Sequence, residues 1–385
     1  MKNLPELDPL ARAHADRVAD HLAAQIRAAG GWLPFDRWME QALYAPGLGY
    51  YAAGSAKLAE GGRAPSGDFV TAPELTPLFA RTLARQAAQV LQACGGAEVL
   101  EFGAGTGALA DGLLAELDEL GLRVRYRIVE VSADLRERQR ARLAPYGDRV
   151  EWLDALPVSF TGCVVANEVL DAMPVRLFRW GEASLLERGV ALGEGGQFVW
   201  QDRAAPADLA RLVAARMPPL PGYVSEVNQQ GEAFVRGMGT WLKAGAALLI
   251  DYGFARAEYY HPQRAEGTLM CHLRHVAHAD PFVAVGVQDI TAHVDFTAMA
   301  EAAVEGGLEV LGYASQANFL MNAGLMDLLA RMDPADAAAY AQAVAPVQKL
   351  LSPAEMGELF KVLAVGRGVD EPLIGFARGD RSHTL

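Results

Sequence analysis

The apolar positions near the start of the chain recur at a helical period. Four of them would lie on one face of a helix over 9–29: Leu10, Val18, Leu22 and Ile26. This spacing is typical of an amphipathic helix, which we predict to end at the glycine pair 30–31. Further helices are predicted over 35–43 and 71–94, the latter beginning with a proline and an acid that favour a first turn. Residues 1–95 are therefore predicted to be a helical N-terminal region.

From residue 97 the pattern changes to short apolar segments that alternate with helices. Strands are predicted at 98–102, 124–130, 149–153 and 162–167. Strands that alternate with helices form crossover units, so they run parallel in a sheet that helices cover on both faces. The predicted fold class is therefore α/β, with a Rossmann-like sheet.

The alternation is interrupted after residue 174. Three segments with glycine turns predict an antiparallel meander over 175–201, and a helix is predicted at 206–216. The remaining predictions are a helix at 229–243, a strand at 246–250, an excursion at 254–295 with strands around 268–272, a helix at 295–305, a strand at 308–313, mainly helical stretches to about 358 and apolar segments at 360–365 and 373–377. We therefore divide the chain into the N-terminal region (1–95), a core (96–174 and 229–385) and an inserted substrate-cleft subdomain (175–228).

Composition and charge narrow the class of protein. The 385 residues carry a formal net charge of −13, which argues against a basic face that binds nucleic acid or anionic lipid. The three cysteines form no CxxC pair, so neither a disulfide framework nor a four-cysteine zinc site is expected. No uncharged apolar run approaches the ~18 residues of a membrane span, and Glu6 and Asp8 are unlike a secretory signal. We expect a cytoplasmic protein without a membrane span. The sequence does not indicate its oligomeric state.

A glycine-rich turn follows the first strand of the α/β region. It reads Glu101-Phe-Gly103-Ala104-Gly105-Thr-Gly107. Parallel sheets bind ligands at the carboxyl ends of their strands, and glycines let the backbone approach a ligand closely. Glu130 ends the next strand, where a carboxylate can accept hydrogen bonds from both ribose hydroxyls of a nucleoside cofactor.

Three interpretations of this turn remain open at the level of the motif. Ala108 completes a GxGxxA spacing, which is compatible with NAD. Glu101 favours S-adenosylmethionine (SAM) instead, because an acid there would position a cationic amino acid moiety and would be unfavourable beside a pyrophosphate. The third interpretation is a tight turn that binds nothing.

Polar residues also follow the fourth strand, in the segment Asn167-Glu168-Val-Leu-Asp171-Ala-Met-Pro174. Asn167 could be a helix N-cap followed by solvated acids. Alternatively, the segment could hold a substrate beside the cofactor. The spacing of Glu168 and Asp171 would put both acids on one side of a helical turn.

Together with other segments, these motifs resemble the MidA-like family of SAM-dependent methyltransferases over nearly the whole chain. The further segments are Gly49-Tyr50-Tyr51, Gly67-Asp68-Phe69-Val-Thr71-Ala-Pro73-Glu74, Ser225-Glu226-Val-Asn228, Ile250-Asp251-Tyr252-Gly253, Gly267-Thr268-Leu269, Asp289-Ile-Thr291-Ala-His293-Val-Asp295-Phe296, Met356-Gly357 and Phe360-Lys361. The resemblance implies a class I methyltransferase fold, with seven strands of which the last pair is antiparallel. It also implies SAM as cofactor and methylation of a protein arginine, as in the mitochondrial complex I assembly factor of the family.

Arginine methylation would need acids beside the methyl donor. A guanidinium stays protonated, and a carboxylate pair can hold its fork and aim one nitrogen. The catalytic candidates are Glu168 and Asp171, then Glu226, with His293 as a proton acceptor or a structural anchor. Two carboxylates would also offset the positive charges of sulfonium and guanidinium.

The remaining candidates carry weaker predictions. The cofactor-binding set is Glu101, Gly103, Ala104, Gly105, Gly107, Glu130, Asp154, Asn167, Tyr50, Asp68 and Thr71. Tyr50 and Tyr51 could close over the cofactor or simply pack, and Glu74 could line the pocket or cap its own helix. A hydrogen-bonded loop is preferred to a metal site for Cys271, His272, His275 and His278. The expected partner is a protein substrate. Two alternative functions stay open: methylation of a different nucleophile, and an assembly chaperone that binds SAM without turnover.

Overall fold

The structure, a computed structural model, describes residues 4–53, 71–332 and 337–385. Within these residues the α-helices are α1 (Pro9–Ala28), α2 (Phe35–Tyr44), α3 (Ala72–Leu75), α4 (Pro77–Cys94), α5 (Ala108–Glu119), α6 (Ala133–Leu143), α7 (Ala207–Arg216), α8 (Gln229–Trp241), α9 (Arg256–Tyr259), α10 (Phe296–Glu305), α11 (Gln316–Asn322), α12 (Leu325–Ala330) and α13 (Ala337–Leu351). Short 3₁₀ helices cover Ala144–Arg149, Ile374–Phe376 and Ser382–Thr384.

The strands within the same residues are β1 (Trp32–Pro34), β2 (Glu98–Phe102), β3 (Arg125–Val129), β4 (Val150–Leu153), β5 (Phe160–Asn167), β6 (Arg176–Trp180), β7 (Leu185–Leu192), β8 (Phe198–Ala204), β9 (Val224–Val227), β10 (Leu242–Phe254), β11 (Met270–Leu273), β12 (Val276–His278), β13 (Asp289–Thr291), β14 (Val294–Asp295), β15 (Glu309–Ser315) and β16 (Phe360–Arg367). They belong to two compact units. The parallel-sheet unit holds the described residues of 70–170, 232–255 and 296–385. The antiparallel-sheet unit holds those of 1–69, 171–231 and 256–295.

The parallel-sheet unit contributes seven strands in the order β15-β16-β10-β5-β2-β3-β4. Neighbours from β10 to β4 pair in parallel, while β16 is antiparallel to both β10 and β15. This is the sheet that the family resemblance implies, so the predicted fold class is confirmed. It also places the carboxyl ends of β2, β3 and β5 at one edge.

Helices on the parallel sheet bury continuous apolar faces. After the glycine turn, α5 places four leucines in the core: Leu109, Leu113, Leu114 and Leu117. They pack with buried residues of α4 and with β2, four of whose five residues are buried. A strand that is covered on both faces is a continuous run of apolar residues in the sequence. The local pattern therefore predicted this region well.

The antiparallel-sheet unit contains two sheets. In one, β7 pairs antiparallel with β6, β8 and β1, and β9 extends it beside β6. The other has the order β12-β11-β13. The predicted meander is therefore confirmed for β6, β7 and β8. Helix α1 buries Val18, Leu22 and Ile26 as predicted, but Leu10 is 52% exposed.

Several elements differ from the sequence-based prediction, which contained none of the strands β1, β13 and β14. The single helix predicted over 71–94 is wrong, because Thr76 is extended (φ −162°) between α3 and α4 and its side chain accepts the Leu78 N–H. A residue before proline disfavours the helical conformation, and threonine is a good N-cap. Strand β9 was missed because its four residues carry no extended alternation of their own. The three-part division of the chain stays a prediction.

In the described ranges, none of the helices combines the length and the apolar character that a bilayer span requires.

Candidate functional site

The glycine turn at the carboxyl end of β2 depends on backbone conformations that favour glycine. Gly103, Gly105 and Gly107 have φ values of 63°, 54° and 84°. A Cβ at Gly103 would lie 3.2 Å from Val169 Cγ2, whereas a Cβ at Gly105 would meet no described atom within 4 Å. The turn is therefore packed against the segment after β5 on one side and leaves its backbone open at Gly105.

Glu101 is a buried acid directly before this turn. It is 2% exposed, and the Tyr126 hydroxyl donates to its Oε2 at 2.7 Å. Burial raises the pKa of Glu101 to about 8; the Tyr126 hydrogen bond lowers it, and the nearby charge of Glu130 raises it. A buried carboxyl of this kind gains free energy from a cationic partner.

Glu130, at the end of β3, is held by two protein donors. The Ser132 N–H donates to Oε1 at 2.9 Å, and Gln139 Nε2 donates to Oε2 at 3.1 Å. Burial raises the pKa of Glu130, and these two hydrogen bonds lower it. An ionised carboxylate has about four lone-pair sites, so each oxygen can still accept one hydrogen bond. That capacity fits two neighbouring hydroxyls.

Glu74 on α3 contacts the glycine turn. The Thr106 hydroxyl donates to Glu74 Oε1, and Arg142 Nη1 donates to Thr106 Oγ1 at 2.6 Å. Thr71 is the residue before α3, and its carbonyl accepts the Glu74 N–H at 3.0 Å. Glu74 therefore contacts the glycine turn, and its place in the lining of a cofactor pocket stays a prediction.

The segment after β5 is a bend and not the predicted helical turn. Glu168 has φ 52°, an uncommon conformation for a residue with a side chain. Its N–H donates to the Ile250 carbonyl at 2.9 Å, and the Leu170 N–H donates to Asp251 Oδ2 at 3.0 Å. Two hydrogen bonds to β10 therefore impose the conformation. Strain maintained in this way is typical of functional positions.

Asn167 ends β5 beside Glu168. Its Nδ2 donates to Glu168 Oε1 at 3.1 Å, which orients that carboxylate. Its buried Oδ1 meets no donor among residues 4–53, 71–332 and 337–385. The N-cap interpretation is wrong because no helix follows, and the amide oxygen is available to a bound donor.

The antiparallel-sheet unit holds four other candidates. Asp171 is 2% exposed, and its carbonyl accepts the Ala292 N–H at 2.9 Å. Tyr50 packs edge-to-face on Tyr51 at 5.0 Å between ring centroids. The Tyr51 hydroxyl donates to Asp289 Oδ1 at 2.9 Å, a contact that the sequence did not suggest.

Glu226 on β9 anchors a distant turn. Its Oε1 accepts the N–H groups of Thr268 and Leu269 at 2.7 and 3.0 Å. Its Oε2 accepts the hydroxyls of Ser225 and Tyr259 at 3.1 and 3.3 Å. Burial raises the pKa of Glu226, and the Thr268 backbone hydrogen bond is the largest effect that lowers it. The same turn binds the segment of the fourth candidate, since the His293 N–H donates to Thr268 Oγ1 at 3.0 Å. The catalytic role of Glu226 and His293 stays a prediction.

The remaining candidates comprise two residues near these groups, one residue outside the described part of the chain and the cluster around Cys271. Asp154 is exposed and pairs with Arg136 at 2.6 Å, while Ala104 is buried in the glycine turn. Asp68 lies outside the described residues. Cys271 faces His278 across β11 and β12, and no group of three or more metal-ligand residues is found in the described part of the chain.

Four residues of the site were not among the candidates of the sequence analysis, which named Asp251 only as part of the family resemblance. Tyr126, Gln139 and Arg136 hold Glu101 and Glu130, and Asp251 holds the segment after β5. Asp251 carries a usable signal, because it follows the apolar run of β10 at the carboxyl edge. The other three have no signal, since the local pattern of apolar and polar residues does not show which polar side chains will face the site.

Comparisons with known proteins agree with this arrangement. The family model of the S-adenosyl-L-methionine-dependent methyltransferases called Methyltransf_28 matches residues 82–314. The Drosophila melanogaster protein named "Protein arginine methyltransferase NDUFAF7 homolog, mitochondrial" is 27% identical over 97% of this chain and 92% of its own. The Homo sapiens protein arginine methyltransferase NDUFAF7, mitochondrial, is 26% identical over 90% of this chain and 82% of its own.

A solved structure of a similar protein supports the assignment of SAM as the cofactor. A Burkholderia thailandensis protein crystallised with S-adenosyl-homocysteine (SAH) is 53% identical, with a TM-score of 0.94 and complete coverage of both chains. The prediction of SAM over NAD is confirmed. The chain belongs to the Methyltransf_28 family of SAM-dependent methyltransferases.

Proposed function

We propose that this methyltransferase methylates an arginine side chain of a protein. The observation that carries the proposal is the position of the 168–170 segment beside the glycine turn, where one hydrogen bond to β10 from the Glu168 N–H and one from the Leu170 N–H hold it. The names of the relatives, which align with 90% or more of this chain, support it.

The parallel-sheet unit fits SAM. The open backbone at Gly105, the buried Glu101 carboxyl and the Asn167 Oδ1 are groups that such a ligand would contact. We assign Glu101 to the cationic amino group and Glu130 to the ribose hydroxyls. Gly103, Ala104, Gly107, Asn167, Thr71 and Asp154 complete the proposed set in this unit. The sequence-based assignment of Tyr50 and Asp68 to the cofactor stays a prediction. When bound, SAM supplies an electrophilic methyl group.

The acids would orient the acceptor. A guanidinium keeps its proton at neutral pH, so a carboxylate that binds its fork draws positive charge away from the attacking nitrogen. In-line displacement then depends mainly on holding that nitrogen in position. We assign this role to Glu168, with Asp171 as the second acid and Glu226 as a further candidate. His293 is the candidate for accepting the proton that the nitrogen releases when it gains the methyl group.

The proposed partner is a subunit of respiratory complex I, and the family resemblance is the ground for this part of the proposal. The cytoplasmic location stays a prediction, and the relatives above carry the word mitochondrial in their names.

The test is methyl transfer from labelled SAM to an extract of cells that lack this protein, followed by mass spectrometry for methylarginine. Glu168→Gln keeps the shape and removes the charge, so we expect transfer to fall about a hundredfold or more while SAH binding changes little. Asp171→Asn should act in the same direction. Glu309→Gln, at an exposed position of β15, is the matched control and should transfer normally.

The outcomes separate the alternatives. Methylation of another residue type would contradict the arginine proposal and leave the enzyme class intact. SAH binding without transfer to any protein would support an assembly chaperone. Normal transfer by both isosteric variants would remove Glu168 and Asp171 from the catalytic set.

A further inference from the structure

A buried glutamine outside every predicted motif connects the two parts of the cofactor site in the parallel-sheet unit. Gln139 lies on α6 and is 0% exposed. Its Nε2 donates to the Gly105 carbonyl at 2.8 Å and to Glu130 Oε2 at 3.1 Å. Its Oε1 accepts the Trp152 Nε1–H at 2.8 Å. One amide thus binds the glycine turn, the acid at the end of β3 and a side chain of β4.

Trp152 determines which way this amide points. An indole nitrogen can only donate, so the amide oxygen must face it. Both hydrogens of Nε2 are then directed at Gly105 and Glu130. A flipped amide would place a donor against the indole N–H and its oxygen against the carboxylate, which is unfavourable at both ends.

This orientation acts on the Glu130 carboxylate in two ways. The Ser132 N–H and Gln139 Nε2 each take one oxygen, which leaves one acceptor site on each for a vicinal diol. Burial raises the pKa of Glu130. The Ser132 backbone, the Gln139 amide, the Val131 backbone and the charge of Arg136 all lower this pKa, so the Gln139 hydrogen bond is one of the contacts that favour the ionised form. In the ionised form both oxygens only accept hydrogen bonds, whereas in the protonated form one oxygen carries an O–H donor.

We propose that Gln139 is a positioning residue that holds the Glu130 carboxylate in register with the glycine turn for cofactor binding. The inference rests on the role proposed above for Glu130.

The experiment is calorimetric titration of the full chain with SAH between pH 5 and 9. Gln139→Met keeps the length of the side chain and removes all three hydrogen bonds. We expect its Kd to rise about tenfold at neutral pH, because a hydrogen bond to a charged group is lost. As the pH falls, affinity is lost when Glu130 becomes protonated. The midpoint of this loss should move to a higher pH in Gln139→Met, since Glu130 would take up its proton at a higher pH. Trp152→Phe, which frees the amide to flip, should move both quantities less in the same direction.

A second buried glutamine provides the matched control. Gln86 on α4 is also 0% exposed, and its Oε1 accepts the Gly375 N–H at 2.8 Å. Gln86→Met should lower the Tm while the Kd for SAH and its pH midpoint stay those of the unsubstituted protein. In a Glu130→Gln background, Gln139→Met should change the Kd much less than it does alone.

Three results would overturn the inference. They are an unchanged Kd and pH midpoint in both Gln139→Met and Trp152→Phe, an equal loss of affinity in Gln86→Met, or a full tenfold loss that persists in the Glu130→Gln background. If Glu130→Gln by itself leaves the Kd unchanged, the role of Glu130 fails first. If Glu130→Gln weakens binding while Gln139→Met and Trp152→Phe bind SAH normally, only the role of Gln139 fails.

Discussion

At the scale of single residues, the Glu101 carboxyl links stability to pH. Burial raises its pKa from 4.5 to about 8, so between these values the folded protein keeps a proton that the unfolded chain has released. The free energy of unfolding should therefore fall as the pH rises from about 5 to about 8. Glu101→Gln stays neutral and keeps an acceptor for the Tyr126 hydroxyl. It should remove this loss of several kcal/mol, since one pKa unit corresponds to about 1.4 kcal/mol.

Urea unfolding at pH 5, 7 and 9 without ligand measures the effect. We expect the two proteins to be similar at pH 5 and Glu101→Gln to be the more stable at pH 9. The same variant should bind SAH more weakly at high pH, because a neutral amide cannot pair with the amino group. Parallel stability curves for the two proteins would contradict the assignment of a raised pKa.

At the scale of elements, Asp251 ties β10 to the segment after β5. Its Oδ2 accepts the Leu170 N–H, and its Oδ1 accepts the Tyr252 N–H at 2.9 Å. Asp251→Ala leaves the N–H groups of Leu170 and Tyr252 without this acceptor. The cost is roughly 1–3 kcal/mol for the buried Leu170 N–H and smaller for the part-buried Tyr252 N–H. We expect faster hydrogen exchange at Leu170 and reduced methyl transfer. Asp370→Asn, at an exposed position, is the control and should change neither.

The link between β9 and the 267–269 turn gives a second prediction at this scale. Glu226→Gln can keep the arrangement, because its oxygen can accept both N–H groups while its NH₂ donates to the hydroxyls of Ser225 and Tyr259. Glu226→Ala cannot, and should lower the free energy of unfolding by about 3 kcal/mol. If Glu226 is an anchor, Glu226→Gln should retain methyl transfer. A sharp loss of transfer in a stable Glu226→Gln protein would make it a substrate-binding acid instead.

At the scale of the whole molecule, cofactor binding should appear as thermal stabilisation. SAM or SAH at about 100 times its Kd should add roughly 2.7 kcal/mol to the free energy of unfolding and raise the Tm by several degrees. NAD at the same concentration should give no shift. Differential scanning fluorimetry measures this. A shift with NAD and none with either sulfur ligand would contradict the assignment of the cofactor site.

The sequence by itself determined the elements of the parallel sheet and the glycine turn. The helical period, the apolar runs of buried strands and the conformations that favour glycine each depend on a few neighbouring residues. They can therefore be recognised in the local sequence. Glu101 and Glu130 were predictable for the same reason, because parallel strands bring their carboxyl ends to one edge. Asp251, at the end of β10, could have been found by that rule.

Only the tertiary structure decided how the acids are held. Gln139 meets Gly105 across 34 positions, and Glu226 meets Thr268 across 42. The left-handed Glu168 and the strand β9 likewise depend on partners in β10 and β6. The physical reason is that buried polar groups require partners wherever the folded chain supplies them. That requirement is satisfied between distant segments, and the local pattern of apolar and polar residues contains no record of it.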